Sequence, residues 1–216
     1  MITTVQHRFT SQPRPRTITE TIVIHHTASH DVSAAEINRW HQNNNPPWLG
    51  IGYHFVIRQN GNIETGRPHD TIGAHAGANV NTRSIGIAVT GNFSQPSQQP
   101  AQAQMDSLVW LIQHLRGIYG QHVTVTRHSD HLATQCPGLN FPWNVLNKML
   151  SQKTVETVGE VRFQTVNEAP KFARLTLQKL IDKGFLQGSG EGQGLDLSFD
   201  MIRIFVVHDR AGMYDR

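Results

Sequence analysis

Thr21-Ile-Val-Ile-His-His26 is a run of apolar, β-branched residues that ends on two histidines and breaks at once into Thr27-Ala-Ser29. A run of this length without helical period, followed by a polar break, reads as a strand buried within a sheet. More strands follow. Residues 53–58 and 63–64 flank Asn60-Gly61, a dipeptide suited to a tight hairpin turn. Residues 85–89 and 123–126 add two short apolar strands. Helices separate them. Ser33, with Glu36 three positions on, forms a capping box for a helix through about Gln42. Met105, Leu108, Val109, Ile112 and Leu115 repeat at the spacing of a buried helical stripe, and residues 141–150 give a last helix. Strands alternating with helices predict an α/β domain over residues 1–150, a mixed central sheet flanked by helices.

The rest of the chain is less regular. Residues 1–20 are polar and proline-punctuated and read as an irregular arm. Residues 66–84 form a long Gly/His/Asn loop without period, and compact domains seldom keep such a loop without a use for it. Residues 151–168 read as a linker, and residues 169–216 as a small helical module. In that module Pro170 precedes a helix with Ala173, Leu177, Leu180 and Ile181 on one face and Gly184 as its stop. Ser198 and Asp200 open a second helix bearing Met201, Phe205 and His208. A pair of helices this small is marginal alone, so it is expected to dock, to form a homo-oligomer, or to bind a partner. The glycines alternating through residues 188–194 follow a helix rather than a strand, which favours a flexible connection over a phosphate loop.

Composition sets the outer bounds. At 216 residues, 38% hydrophobic and 16% charged, the chain has material for a sizeable core and is not globally disordered. A net charge of +3 is compatible with an anionic polymer such as a cell wall, while the lack of a dense Lys/Arg block argues against nucleic acid. A single cysteine, Cys136, excludes an intramolecular disulfide framework. The first twenty residues lack the apolar core of a secretory signal, and no run approaches the ~20 apolar residues that span a bilayer. The expectation is a soluble chain made in the cytoplasm, without membrane insertion, which something else must carry to any substrate outside the membrane.

Chemistry concentrates in two places. Cys136 stands eight residues after His128, in Thr126-Arg-His-Ser-Asp-His-Leu-Ala-Thr-Gln-Cys-Pro-Gly138, and the His25-His26 pair ends the first apolar strand. A thiolate with two imidazoles is a ligand set suited to Zn2+, and three protein ligands leave a fourth position for water, as in hydrolytic sites. Neighbours on a strand face opposite ways, so at most one of His25 and His26 reaches such an ion. His131 competes with His128 for the second place. These residues alone leave both choices open.

The motifs Ile-His-His-Thr-Ala-Ser, Gly-Tyr-His-Phe, Gly-Ala-His-Ala-Gly, Asn-x-x-Ser-Ile-Gly-Ile and His-x7-Cys-Pro-Gly occur here in that order, between about residues 20 and 150. This set resembles the zinc-dependent N-acetylmuramoyl-L-alanine amidases of the type-2 family, which includes phage endolysins and relatives of the peptidoglycan-recognition proteins. The resemblance implies that His25, His128 and Cys136 hold zinc. It implies that Tyr53 lies beside the reacting water and that Thr134 takes a position where some members carry lysine and others threonine. His75 and Asn81, on the long loop, become candidate substrate contacts, and Arg83 a candidate partner for a stem-peptide carboxylate. The implied activity is cleavage of the bond between N-acetylmuramic acid and L-alanine in peptidoglycan, by an endolysin. Two other functions compete: a recognition module that binds peptidoglycan without cutting it, and a zinc peptidase acting on the stem peptide. The tail, with Gly184-Phe-Leu-Gln-Gly188, is distantly similar to surface-layer-homology wall modules.

Overall fold

The computed structural model describes residues 2–155, 163–170, 173–187, 194–210 and 212–214. The chain divides into two compact units, Met1–Leu150 and Ser151–Arg216. The strands of the first unit are β1 (Ile2–Thr3), β2 (Thr21–His26), β3 (Phe55–Ile57), β4 (Ile63–Thr65), β5 (Ser84–Val89) and β6 (Thr124–Arg127). They form one sheet in the order β1-β4-β3-β5-β2-β6. β2 and β5 pair in parallel, Thr21 opposite Ser84 and His26 opposite Val89. Every residue of both is buried, which is why they read as unbroken runs rather than as alternation. β6 runs parallel to β2 and β3 parallel to β5, while β4 returns antiparallel to β3. The turn between β3 and β4 passes through Gly61 at φ 84°, a conformation that the missing Cβ makes inexpensive.

Side chains alternate across the sheet. Ile22, Ile24, Ile85, Ile87 and Val89 share the larger core with Leu108, Val109, Ile112 and Leu115 of α3 (Gln102–Tyr119) and with Leu146 of α4 (Trp143–Val155). Burying each such side chain contributes about 1.5–3 kcal/mol, so this core carries most of the first unit's stability. Val56, Val32, Ile51 and Ile37 of α1 (Ala34–Gln42) form a smaller cluster, with Tyr53 at its margin. The Ser33 hydroxyl caps α1 by accepting from the Glu36 amide at 3.2 Å.

Three expectations need correction. The N-terminal arm is not wholly irregular, because Ile2 and Thr3 pair in parallel with Ile63 and Glu64; two residues are too few to show a period. The long loop contains a single helical turn, α2 (Ala78–Asn81), again shorter than any period. α4 continues past Leu150 to Val155, into the stretch expected as a linker. Residues 156–162 of that stretch lie outside the described residues, and Phe163 pairs with Leu197.

The second unit contains α5 (Arg174–Asp182) and α6 (Phe199–Arg210) around a cluster of Ala169, Ala173, Leu177, Leu197, Ile202 and Val206. Lys179 Nζ and Thr176 Oγ1 of α5 both donate to the Asp209 carboxylate of α6, at 2.6 and 2.7 Å. The chain turns after α5 through Gly184 at φ 74°. Residues 188–193 of the glycine-rich run lie outside the described residues. Among the described residues no helix is long and apolar enough to cross a membrane.

Candidate metal centre

The strand-face ambiguity of the histidine pair resolves through hydrogen bonds. His26 turns to the Phe93 side, where its Nδ1 accepts from the Phe93 amide at 3.1 Å. His25 turns the other way, and its Nδ1 faces the Cys136 sulfur at 3.7 Å. After β6 the chain makes one 3-10 turn, His128–Asp130. The loop that follows curls back until the Ser129 amide donates to the Cys136 carbonyl at 2.9 Å. That bond brings His128 and Cys136 together although eight positions separate them. One ligand atom from each of His25, His128 and Cys136 then lies within 4.8 Å of the others, so the three form a possible metal site. His131, the rival, instead bonds the Thr126 hydroxyl through Nε2 at 2.8 Å.

The donor set fits a zinc ion. Burial holds both imidazoles below their ordinary pKa, more strongly for His25, and neighbouring histidines add to the effect. Both rings therefore keep a free lone pair at neutral pH. Among the described residues the buried His128 Nε2 has no hydrogen-bond partner, an orphaned polar atom that a cation would satisfy. Burial pushes the Cys136 thiol up to about 11, against a smaller opposing effect from the His26 amide, which donates to Sγ at 3.4 Å. A coordinated metal deprotonates such a thiol outright.

Beneath the trio, His25 Nε2 lies 3.0 Å from His75 Nδ1, and His75 Nε2 lies 3.4 Å from Ser84 Oγ. One tautomer set satisfies all of these contacts: His25 donates from Nε2, His75 accepts at Nδ1 and donates from Nε2 to the serine. It leaves His25 Nδ1 as a lone pair on the metal side. The His75 ring occupies a slot made by two glycines, where a Cβ at Gly73 or Gly86 would come within 2.5 or 2.6 Å of it. Asn81 Oδ1 accepts from the amides of His75 and Ala76, both at 2.9 Å, and so fixes the loop that presents the ring. On the other side a row of rings leads outward, with centroid spacings of 5.0 Å from His25 to Tyr53, 5.6 Å to His41 and 4.6 Å to Trp48. Burial, with the Cys136 charge beside it, raises the Tyr53 phenol above its ordinary pKa. Thr134 is exposed, and its Oγ1 accepts from the Cys136 amide at 3.2 Å.

The family profile of N-acetylmuramoyl-L-alanine amidase matches residues 14–139. The chain belongs to this amidase family. The endolysin of Enterobacteria phage T3 is 33% identical over 147 residues, covering 65% of this chain and 95% of that protein. The N-acetylmuramoyl-L-alanine amidase LysC from Clostridium intestinale is 35% identical with a TM-score of 0.64, covering 70% of this chain and 97% of its own. The fold extends to Drosophila peptidoglycan recognition protein SD, with a TM-score of 0.60 at 22% identity over 67% of this chain and 92% of that one.

Within this amidase, the sequence-derived site residues fall into two groups. His25, His128, Cys136, Tyr53 and Thr134 converge on one place. His75 and Asn81 lie under it, both buried and both engaged with protein partners, not facing outward as substrate contacts would. Arg83 is exposed and pairs with Glu20 at 3.5 Å. His41 and His69 are partly buried. His41 Nδ1 accepts from the Gly52 amide at 3.0 Å, and His69 Nδ1 meets the Tyr119 hydroxyl at 2.5 Å. Neither contact leaves a local sequence signal, since each partner comes from a distant part of the chain.

Proposed function

We propose that this amidase hydrolyses the amide between N-acetylmuramic acid and L-alanine in peptidoglycan, with zinc held by His25, His128 and Cys136, and that it works as an endolysin on the wall after release from the cell that makes it. The convergence of one thiol and two neutral imidazoles within 4.8 Å, in a chain of this family, carries the proposal. Bound zinc would supply a Lewis acid for the scissile carbonyl and hydroxide at neutral pH. The chain's own groups supply the rest. His75 holds His25 in the tautomer that keeps Nδ1 free, and Asn81 holds His75 in turn. Tyr53, with its pKa above the ordinary value, stays protonated and donates a hydrogen bond to the reacting oxygen. The Thr134 oxygen already accepts from the Cys136 amide, so its hydrogen is free to donate to the developing oxyanion. A complete ligand set with Tyr53 beside it supports hydrolysis over recognition alone.

Lysis of purified walls by zinc-loaded, stripped and reconstituted protein tests the reading. Stripping should abolish lysis, zinc should restore it, and Cys136→Ser should neither retain a full equivalent of metal nor lyse. Full activity in the stripped protein would refute the proposal.

A further inference from the structure

A cavity of about 620 Å3 opens at the carboxyl ends of β2, β3 and β5, walled by the loops that follow them. Ser29, His30 and Asp31 come after β2, Gln59 after β3, and Asn92, Phe93 and three glutamines after β5. These strands are parallel neighbours, and in such sheets ligands bind in the crevice outside the carboxyl ends. None of the three candidate metal ligands lines the cavity, whereas Phe93, to which His26 turns, does. It is a place apart from the metal trio.

Hydrogen bonds within the chain set the walls. Thr27 Oγ1 accepts from the Gly91 amide and from the Ser29 hydroxyl, both at 3.0 Å. The Phe93 carbonyl accepts from the Asn140 amide at 2.9 Å, and the Gln95 carbonyl from Asn140 Nδ2 at 2.8 Å. Asp31, the one carboxylate in the wall, is already saturated. It accepts from Arg58 Nε and Nη2 at 3.0 and 2.9 Å, from the Gln59 amide at 3.0 Å and from the Thr90 hydroxyl at 2.7 Å. What remains is neutral. Gln59, Gln95, Gln98 and Gln99 are exposed, and among the described residues their side-chain amides meet no protein partner. Ser97, between Gln95 and Gln98, holds φ 63°, a costly conformation for a residue with a Cβ and one that gathers at ligand sites.

A side-chain amide offers donors and an acceptor but no charge. Four of them around one cavity match an uncharged ligand bearing hydroxyls and acetamides, and they give a carboxylate or an ammonium group no ion pair. We propose that this cavity is a binding site for N-acetylated sugar, a glycan-strand site separate from the metal centre, with Gln95 and Gln98 as its recognising residues. The inference rests on the amidase reading for the source of the sugar, the glycan of peptidoglycan. It goes beyond that reading by assigning a second site on the first unit.

The probe is a tetramer of N-acetylglucosamine, which carries no peptide, with cellotetraose, its counterpart without acetamides, as the control. Full-length zinc-loaded protein is titrated with each by calorimetry, and amide NMR shifts locate the site. The N-acetylated tetramer should bind about tenfold more tightly than cellotetraose, the scale of two neutral hydrogen bonds, with shifts centred on residues 29–31 and 91–99. The double variant Gln95→Ala/Gln98→Ala should lose that advantage at unchanged zinc content and melting temperature. No binding, equal affinity for the two tetramers, an advantage that survives in the double variant, or shifts centred on residues 163–214 would overturn the site. Release of L-alanine termini from walls is scored separately. Sugar binding as described without such release refutes the amidase reading and leaves the sugar site standing; release without sugar binding does the reverse.

Discussion

His75→Ala should weaken zinc binding without removing any metal ligand. In the intact site His75 accepts from His25 Nε2 at 3.0 Å, which fixes the His25 proton on the side away from the Cys136 sulfur. Without metal, a His75→Ala chain can move that proton to Nδ1 and offer it to the sulfur, so little is lost. With metal bound at Nδ1 the proton must sit on Nε2, and the donor is then buried with no acceptor. Such an unpaired group costs about 1–3 kcal/mol, which is about 5- to 150-fold in affinity. Loss of outer partners of metal-bound histidines falls in the same range, about 10–100-fold. The assay is competition for zinc against a chelator, with melting of the zinc-free protein followed alongside to separate loss of fold from loss of affinity. His75→Asn is the control, because the Asn oxygen lies where Nδ1 was and can accept from His25; it should recover most of the affinity. Unchanged affinity in His75→Ala, or equal weakening in His75→Asn, would refute the orienting role.

Three further outcomes follow from the same geometry. Tyr53→Phe should keep zinc and fold yet lose much of the lytic rate, and Thr134→Val should lose less, since water can replace an exposed hydroxyl; unchanged rates at full metal content would make both bystanders. Burial, with the Arg16 charge adding to it, pushes His54 down to about 3, and its Nδ1 accepts from the Gly86 amide. The unfolded chain then binds the proton first, so His54 alone should take about 2 kcal/mol from stability between about pH 6.5 and pH 5, in addition to the fall caused by the other buried histidines, read from denaturant unfolding; His54→Gln should make the slope shallower by that share, and an equal slope in that variant would contradict the assignment. A chain ending at Val155, after α4, should fold, bind zinc and cleave soluble muropeptides at nearly the full rate while acting more slowly on intact walls, the loss expected when a tethering module is removed. Equal losses on soluble and insoluble substrates would instead assign the tail to stability.

The sheet was legible because its central strands are buried on both faces and read as unbroken apolar runs, Thr21–His26 and Ser84–Val89. The ligands were legible from spacing as residue types, and the choice among them came from the family resemblance. Alternation says that at most one of His25 and His26 faces the site; the Phe93 amide bonding His26 and the sulfur beside His25 give the physical reason for that choice. His131 drops out through the Thr126 hydroxyl, a contact that spacing cannot reveal. His75 and Asn81 were visible as notable loop residues, yet their burial under the metal trio depends on Gly73 and Gly86, far apart in sequence, leaving room for a ring.

The proposed reaction cuts one bond, between N-acetylmuramic acid and L-alanine, at a centre that needs zinc. Mass spectrometry of purified walls digested by the zinc-loaded protein reads that bond. Free L-alanine amino termini paired with intact N-acetylmuramic acid lactyl groups should appear with zinc and be absent after stripping. New termini within the stem peptide, or no new termini with one equivalent of zinc bound, would contradict it.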